Sequence, residues 1–259
     1  MITHPEAALR SPFDLSGRCA VVTGAGRGLG QAIAQGLARA GADLVLLGRP
    51  GSQSSTRDQV ADLGRDVEVV DLDVGDHDAI GRVAAEINGN RQVDILVNNA
   101  GIIDRQDSVD VSRQSWNRVL DTNLNGLFFL CQEFGRPMAG RGHGKIVNVA
   151  SLLSFQGGIR VASYAASKHG VAGVTRALAN EWGPLGVQVN AIAPGYIATD
   201  NTTALRADPD RSRSILERIP AGRWGDASDI AGAAVFLSSA AADYVNGHVL
   251  VVDGGWMAR

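Results

Sequence analysis

Short apolar runs alternate with longer amphipathic stretches along most of the chain. The runs are rich in Val, Ile and Leu, and the stretches between them carry apolar residues at helical spacing. This alternation is typical of βαβ units around a parallel sheet. We predict strands at residues 19–23, 43–47, 67–71, 95–98, 145–149, 187–192 and 248–252.

The predicted strands are apolar without polar alternation, which indicates a sheet covered on both faces. Helices on both sides of one doubly wound sheet of about seven strands would provide that cover. The 259 residues contain no linker-like stretch and suit one large domain. We therefore expect an α/β fold with a single domain over residues 1–259.

Residues 197–213 depart from this pattern, because they are polar and show no clear period. They lie between two predicted ordered elements, where a mobile segment could close over a substrate as a lid. A plain surface loop explains the same pattern equally well.

Composition narrows the class of protein. The net charge is −3 and the arginines are scattered, so nucleic acid is not an expected partner. The first 18 residues lack the apolar centre of a signal peptide, and no apolar run approaches the roughly 20 residues that span a bilayer. We expect a cytoplasmic protein that does not bind membranes. The five histidines show no ligand spacing, so no metal is expected.

A glycine-rich turn joins the first predicted strand to the first helical stretch. Its glycines have the spacing Gly24-x-x-x-Gly28-x-Gly30. Glycine lets the backbone approach a phosphate closely, and a helix N-terminus offers free N–H groups to it. The turn therefore predicts a cradle for the pyrophosphate of a dinucleotide. Simple packing of a helix against the sheet is the alternative.

The end of the second strand bears on which dinucleotide binds. An acid there usually binds the adenosine ribose of NAD, whereas an arginine accommodates the extra phosphate of NADP. This chain has Gly48-Arg49 and no acid, and Arg27 lies in the glycine turn. These residues favour NADP, although both arginines could be solvated surface charges. After the third strand, Asp73 could hold the adenine edge or cap a helix.

Tyr164 and Lys168 are four residues apart in a predicted helix, and Ser151 precedes Tyr164 by thirteen residues. Residues i and i+4 share a helix face, so the Lys168 ammonium can lie near the phenol. A nearby cation lowers the pKa of a phenol, ordinarily about 10, and makes it a general base near neutral pH. Lys168 is one of only two lysines in the chain, so a lysine four residues after a tyrosine is an informative feature here. An ordinary amphipathic helix is the alternative for the pair alone.

Together these motifs resemble the short-chain dehydrogenase/reductase family over essentially the whole chain. The matching pieces are residues 23–30, Asp73, residues 98–101, Asn123, Ser151, Tyr164, Lys168, Pro194, Gly195 and residues 253–255. The resemblance implies a Rossmann-like fold, a nicotinamide coenzyme, and subunit pairing in dimers or tetramers. It also implies a catalytic tetrad of Asn123, Ser151, Tyr164 and Lys168, in which Asn123 holds a water that links Lys168 to solvent.

The motifs and the resemblance together define an expected coenzyme site. Its residues are Gly24, Arg27, Gly28, Leu29, Gly30, Arg49, Asp73, Val74, Asn99, Ala100, Gly101, Tyr164, Lys168, Pro194, Gly195, Ile197 and Thr199.

More narrowly, residues 154–168, 190–202 and 218–225 resemble the branch that oxidises 2-deoxy-D-gluconate and interconverts 2-keto-3-deoxygluconate with its diketo form. That branch is described as NAD-linked, which conflicts with Gly48-Arg49 and leaves NAD and NADP both open. In the expected oxidation Tyr164 takes the hydroxyl proton while a hydride passes to nicotinamide, and Ser151 steadies the substrate oxygen.

A sugar acid requires a cationic or amide-rich pocket, since a carboxylate pairs best with a guanidinium fork. The candidates are Arg105, Ser151, Gln156, Arg160, Tyr196 and Arg206, each of which could also be an ordinary surface residue. Arg160 leads, because the loop between Ser151 and Tyr164 borders the reacting carbon. Two alternatives remain: an NADPH-dependent 3-oxoacyl thioester or small-ketone reductase, and a dinucleotide-binding regulator that does not catalyse.

Overall fold

The computed structural model describes residues 11–259, except for the side chain of Asn201. Residues 1–10, which include His4 and much of the N-terminal segment that we expect to lack a signal peptide, lie outside it. Among the helices of residues 11–259, none combines the length and apolar character that crossing a bilayer requires.

A wholly parallel sheet forms the centre of the molecule. Within the described residues its strands are β1 (Cys19–Thr23), β2 (Asp43–Gly48), β3 (Val67–Asp71), β4 (Ile95–Asn98), β5 (Gly144–Val149), β6 (Val187–Pro194) and β7 (Val249–Val252). Their spatial order is β3-β2-β1-β4-β5-β6-β7. The strand order reverses between β1 and β4, and ligands of such sheets bind outside the carboxyl ends of the strands at that point. The predicted strands are confirmed to within two residues at each end.

Helices cover both faces of the sheet, as predicted. They are α1 (Gly28–Arg39), α2 (Ser54–Ala61), α3 (His77–Asn90), α4 (Arg113–Leu120), α5 (Gly126–Arg141), α6 (Ala162–Trp182), α7 (Thr203–Ala207), α8 (Pro209–Leu216) and α9 (Ala227–Ser238). Single 3₁₀ turns occupy Leu152–Ser154, Gly183–Leu185, Asp200–Thr202, Ala240–Ala242 and Trp256–Ala258. One apolar core lies under α3, α5 and α6, and a second lies under α1 and α9.

The prediction that every strand is buried on both faces is wrong for β3. Val69 is 37% exposed, and none of the five β3 residues is fully buried. β3 is one of the two edge strands of the sheet that the described residues form, and it pairs with β2, so solvent reaches it.

The prediction of an irregular segment at residues 197–213 is also wrong. It contains the turn Asp200–Thr202, all of α7 and the first part of α8. The Asp208 side chain caps α8, accepting hydrogen bonds from the backbone N–H groups of Asp210 and Arg211 at 3.1 Å each. Periodicity missed these helices because they are short and α8 buries a single residue, Ile215. Movement of the segment as a lid stays a prediction.

Candidate active site

A cleft of about 690 Å³ lies at the carboxyl end of the sheet, beside the reversal of strand order. The glycine turn, the residues that follow β2, β3 and β4, and residues 199, 200 and 202 line it together with two side chains of α6. Most of the expected coenzyme residues therefore meet in one place. Pro194, Gly195 and Ile197 lie outside this lining.

Close packing explains the glycines of the turn. A Cβ added at Gly30 would lie 2.2 Å from the Gly24 carbonyl oxygen, and one at Gly26 would lie 2.1 Å from the Ser52 carbonyl oxygen. Gly24 and Gly28 also have left-handed backbones, with φ of +62° and +55°. α1 begins at Gly28 without an acidic residue in its first turn and without a side-chain cap, so its first N–H groups can bind an anion.

The segment after β4 holds the glycine turn in shape. The Thr23 hydroxyl accepts hydrogen bonds from the backbone N–H groups of Asn99 and Ala100 at 3.0 Å each. The Asn99 amide donates to the carbonyl oxygens of Thr23 and Gly24 at 3.0 and 3.1 Å. These bonds join the carboxyl ends of β1 and β4, so the cradle is braced by residues far away in the chain.

The end of β2 contains a feature that sequence reasoning missed. A Cβ at Gly48 would lie 2.3 Å from Nε2 of Gln53, so the Gln53 amide occupies the space where a side chain at residue 48 would begin. Gln53 is fully buried, and neither amide atom forms a hydrogen bond with any described residue. Arg49 and Ser52 line the cleft beside it, with the Ser52 hydroxyl donating to the Arg49 carbonyl at 2.7 Å. No signal in the sequence distinguishes Gln53 from a surface glutamine.

Asp73 does not cap a helix, which was the alternative for this residue. Its carboxylate accepts a hydrogen bond from the Gly75 backbone N–H at 2.9 Å, and Asp76 caps α3 instead. Asp73 and Val74 line the cleft, where they remain available to the adenine edge.

Tyr164 and Lys168 line the cleft, and Ser151 lies beside Tyr164. The Ser151 hydroxyl forms a hydrogen bond with the Tyr164 phenol. The Lys168 ammonium lies 5.6 Å from the centre of the Tyr164 ring and donates a 2.6 Å hydrogen bond to the Val149 carbonyl. Tyr164 and Lys168 are thus adjacent on α6, as the spacing predicted.

Burial controls the ionisation of this group. It raises the pKa of the Tyr164 phenol, and the Ser151 hydrogen bond and the Arg105 charge lower it in part. Burial also lowers the pKa of Lys168 to about 8. Lys168 is not among the groups that shift the phenol pKa in this structure, where its ammonium donates to the Val149 carbonyl. The expectation that Lys168 lowers the phenol pKa stays a prediction.

Asn123 lies in a π-helical turn, Asp121–Asn125, that joins α4 to α5. The residue is fully buried. Its carboxamide oxygen accepts from the Ile102 N–H at 2.8 Å, and its nitrogen donates to the Ile102 carbonyl at 2.9 Å and to the Ser167 hydroxyl at 3.2 Å. Asn123 is therefore an internal brace inside a helix that continues through it.

Among the cationic substrate candidates, Arg105 is the one that lines the cleft. Arg160, the leading candidate from sequence, has a left-handed backbone with φ of +63° and an ion pair to Asp107 at 3.2 Å, with its side chain 57% exposed. Its carbonyl also accepts a hydrogen bond from the Gln106 N–H at 3.0 Å. These contacts hold Arg160 against residues 106–107, away from the lining of the cleft.

The remaining candidates also lie outside that lining. Arg206 donates to the Thr199 carbonyl at 3.3 Å, within its own segment. The Tyr196 ring packs against Trp224 and Trp256, with ring centres 5.6 and 4.6 Å away. Gln156 follows the 3₁₀ turn Leu152–Ser154, and its N–H donates to the Leu152 carbonyl at 3.2 Å. Ser151 is linked to the cleft through its hydrogen bond to Tyr164.

Comparison with known proteins agrees with this geometry. Residues 24–257 match the family model described as enoyl-(acyl carrier protein) reductase. The chain is 57% identical over 251 residues to the 2-dehydro-3-deoxy-D-gluconate 5-dehydrogenase of Bacillus subtilis (strain 168), covering 97% of this chain and 99% of that one.

Two solved structures are similar throughout. One is a putative 2-deoxy-D-gluconate 3-dehydrogenase from Agrobacterium tumefaciens with bound NADP, 57% identical, with a TM-score of 0.92, covering 96% of this chain and 100% of that one. The other is a gluconate 5-dehydrogenase from Burkholderia cenocepacia J2315 in complex with NADP and tartrate. It is 39% identical, with a TM-score of 0.92, covering 96% of this chain and 98% of that one.

Proposed function

The chain belongs to the short-chain dehydrogenase/reductase family, and we propose that this NAD(P)-dependent oxidoreductase interconverts 2-keto-3-deoxygluconate and its diketo form. One observation carries the proposal. A phenol with a serine and a lysine beside it shares a cleft with the glycine turn and with a cation, Arg105. The 57% identity to a dehydrogenase of this sugar acid supports the same substrate.

The residues of the cleft fit a nicotinamide dinucleotide. The uncapped N-terminus of α1 and the close-packed glycines suit the pyrophosphate, and Asp73 and Val74 suit the adenine. When bound, the nicotinamide ring supplies the acceptor or donor of hydride. Lys168 would donate hydrogen bonds to the hydroxyls of the nicotinamide ribose.

Tyr164 is proposed as the acid–base group. Its phenolate would take the hydroxyl proton of the alcohol during oxidation, and its neutral phenol would return a proton to the oxygen during reduction. Ser151 would donate a hydrogen bond to the same oxygen and stabilise charge that develops there. Asn123 would act as a positioning residue, because its contacts fix the π-helical turn against α6.

Arg105 is proposed to bind the substrate carboxylate. It lies in the cleft close enough to act electrostatically on Tyr164, as a group that orients a short sugar acid must. A guanidinium can bind a carboxylate with two parallel hydrogen bonds and so fix its orientation. Arg160 and Arg206 lie outside the lining of the cleft.

NADP is proposed as the preferred coenzyme. The carboxyl end of β2 offers Arg49 and Ser52 to the cleft, Arg27 lies in the adjoining glycine turn, and no acid stands at Gly48. The NADP bound in the Agrobacterium relative supports this preference. The proposed preference for NADP differs from the NAD linkage that the sequence resemblance implies.

Initial rates measured by nicotinamide absorbance test the proposal. The substrates are 2-keto-3-deoxygluconate and 2-deoxy-D-gluconate, each with NAD and with NADP. Turnover of 2-keto-3-deoxygluconate, fastest with NADP, is the expected result. Turnover of 3-oxoacyl thioesters but of neither acid would replace the proposal with its main alternative. Coenzyme binding without turnover of any alcohol or ketone would favour the regulator.

A further inference from the structure

Arg27 stands between two segments that both contact the glycine turn. On one side, the Cα of Gly26 abuts the loop after β2, since an added Cβ would lie 2.1 Å from the Ser52 carbonyl oxygen. On the other side, an added Cβ at Gly28 would lie 3.7 Å from Cγ2 of Thr199, in the segment after β6. Arg27, between these two glycines, therefore lies in the part of the turn that separates the two segments.

In the structure Arg27 pairs with the segment after β6. Its Nη1 donates to Oδ2 of Asp200 at 3.0 Å. The backbone around Asp200 is fixed, because Thr199 and Thr202 form reciprocal hydrogen bonds across the turn. Both charged side chains line the cleft, and the side chain of Arg27 is 72% exposed and that of Asp200 70% exposed. An ion pair this exposed is weak, so a stronger anion can replace the carboxylate.

The 2′-phosphate of NADP is an anion of that kind. It carries more charge than a carboxylate and three strong acceptor oxygens. In the proposed coenzyme site it would lie by Arg49 and Ser52, the loop that Gly26 abuts. A phosphate there would lie across the glycine turn from Asp200, so the two anions would compete for the Arg27 guanidinium.

We propose that Asp200 is a coenzyme-selectivity residue, which competes with the 2′-phosphate of NADP for the guanidinium of Arg27. Asp200 weakens the binding of NADP and leaves the binding of NAD, which has no 2′-phosphate, unchanged. The inference rests on the proposed coenzyme site and extends it to a residue outside the nucleotide-binding turn and the β2 end.

Titration of the intact protein with NADPH and NADH, followed by nicotinamide fluorescence without any sugar acid, tests the inference. Asp200→Asn should tighten NADPH by about two- to fivefold, the range that an exposed ion pair spans, and leave NADH unchanged. Asp210→Asn is the matched control. It removes the same charge from the same segment, its carboxylate is 93% exposed and pairs with Arg213, and it does not line the cleft. It should change neither affinity.

A double-mutant cycle with Arg27→Gln isolates the competition. Arg27→Gln should weaken NADPH, and Asp200→Asn should then give no further gain. Equal gains for NADPH and NADH, no gain, or the same gain in the Arg27→Gln background would overturn the inference. Failure of the unmodified protein to bind either coenzyme would instead refute the proposed function, so the two failures are distinguishable.

Discussion

The Lys168 ammonium lies 5.6 Å from the centre of the Tyr164 ring and donates its 2.6 Å hydrogen bond to the Val149 carbonyl at the end of β5. The Val149 carbonyl anchors the lysine to the sheet, beside the ring of the proposed general base. Because the pKa of Lys168 is about 8, the ammonium is still mostly charged at neutral pH. This fixed position beside Tyr164 fits the proposed role of Lys168 in binding the ribose hydroxyls.

Removing the phenol hydroxyl should abolish most of the activity. Tyr164→Phe is expected to lower kcat by about 10²- to 10⁴-fold, the usual contribution of a general acid–base group. Tyr244→Phe is the matched control, since Tyr244 is fully exposed and should leave turnover unchanged. Initial rates in both directions check this. A Tyr164→Phe enzyme with more than about a tenth of normal turnover would contradict the assignment.

The pH dependence should differ between the two directions. Since the phenol pKa is raised, Tyr164 is protonated at neutral pH and oxidation requires its deprotonated form. Log kcat/KM for oxidation should therefore rise by about one unit per pH unit up to an alkaline plateau. Reduction uses the protonated phenol, so its rate should be flat near neutral pH and fall above the phenol pKa. An oxidation profile that is level from neutral pH upward would contradict the raised pKa.

Substrate binding should depend on Arg105. Arg105→Ala is expected to raise KM for the sugar acid by about 10- to 100-fold, the value of a hydrogen bond to a charged group. KM for a neutral ketone should be unchanged when both are measured on the pH plateau. Arg160→Ala, which removes an arginine outside the lining of the cleft, is the control and should have a small effect. Equal losses for acid and ketone would mean that Arg105 acts through Tyr164 alone.

Installing an acid at the end of β2 should require a second change. Gly48→Asp is expected to lower the free energy of unfolding by about 1–3 kcal/mol, because its Cβ meets the buried Gln53 amide. Adding Gln53→Ala should recover the loss and yield a protein that prefers NAD. Denaturant unfolding and coenzyme titration measure the two effects, with Gln53→Ala alone as the control. A fully stable Gly48→Asp protein would show that Gln53 moves freely.

Asn123 should matter for stability as well as rate. Asn123→Ala would leave the Ile102 N–H and carbonyl without their side-chain partner inside the protein, at an expected loss of about 1–3 kcal/mol. Asn117→Ala, on the exposed side of α4, should be nearly neutral. Denaturant unfolding checks both. A stable Asn123→Ala protein with a changed pH profile would point to a proton-transfer role separate from bracing.

The amino-acid sequence by itself determined the strands, the α/β architecture, the glycine turn and the tyrosine–lysine pair. Each of these depends on local order: an apolar run, a strand–turn–helix succession, or two residues one helical turn apart. The same reasoning failed at β3, because edge position is a property of the assembled sheet, and at residues 197–213, whose short helices show little periodicity.

Only the tertiary structure decided which side chains meet. The sequence favoured Arg160 over Arg105 for the substrate, yet Arg105 lines the cleft and Arg160 lies outside that lining. Gln53 fills the space beside Gly48, and Asn123 braces the Ile102 backbone, through contacts between segments that the sequence does not relate. The Lys168 ammonium is directed to a strand carbonyl, so its effect on the phenol could not be derived from spacing. Side-chain direction depends on packing between distant elements, and local periodicity carries no information about it.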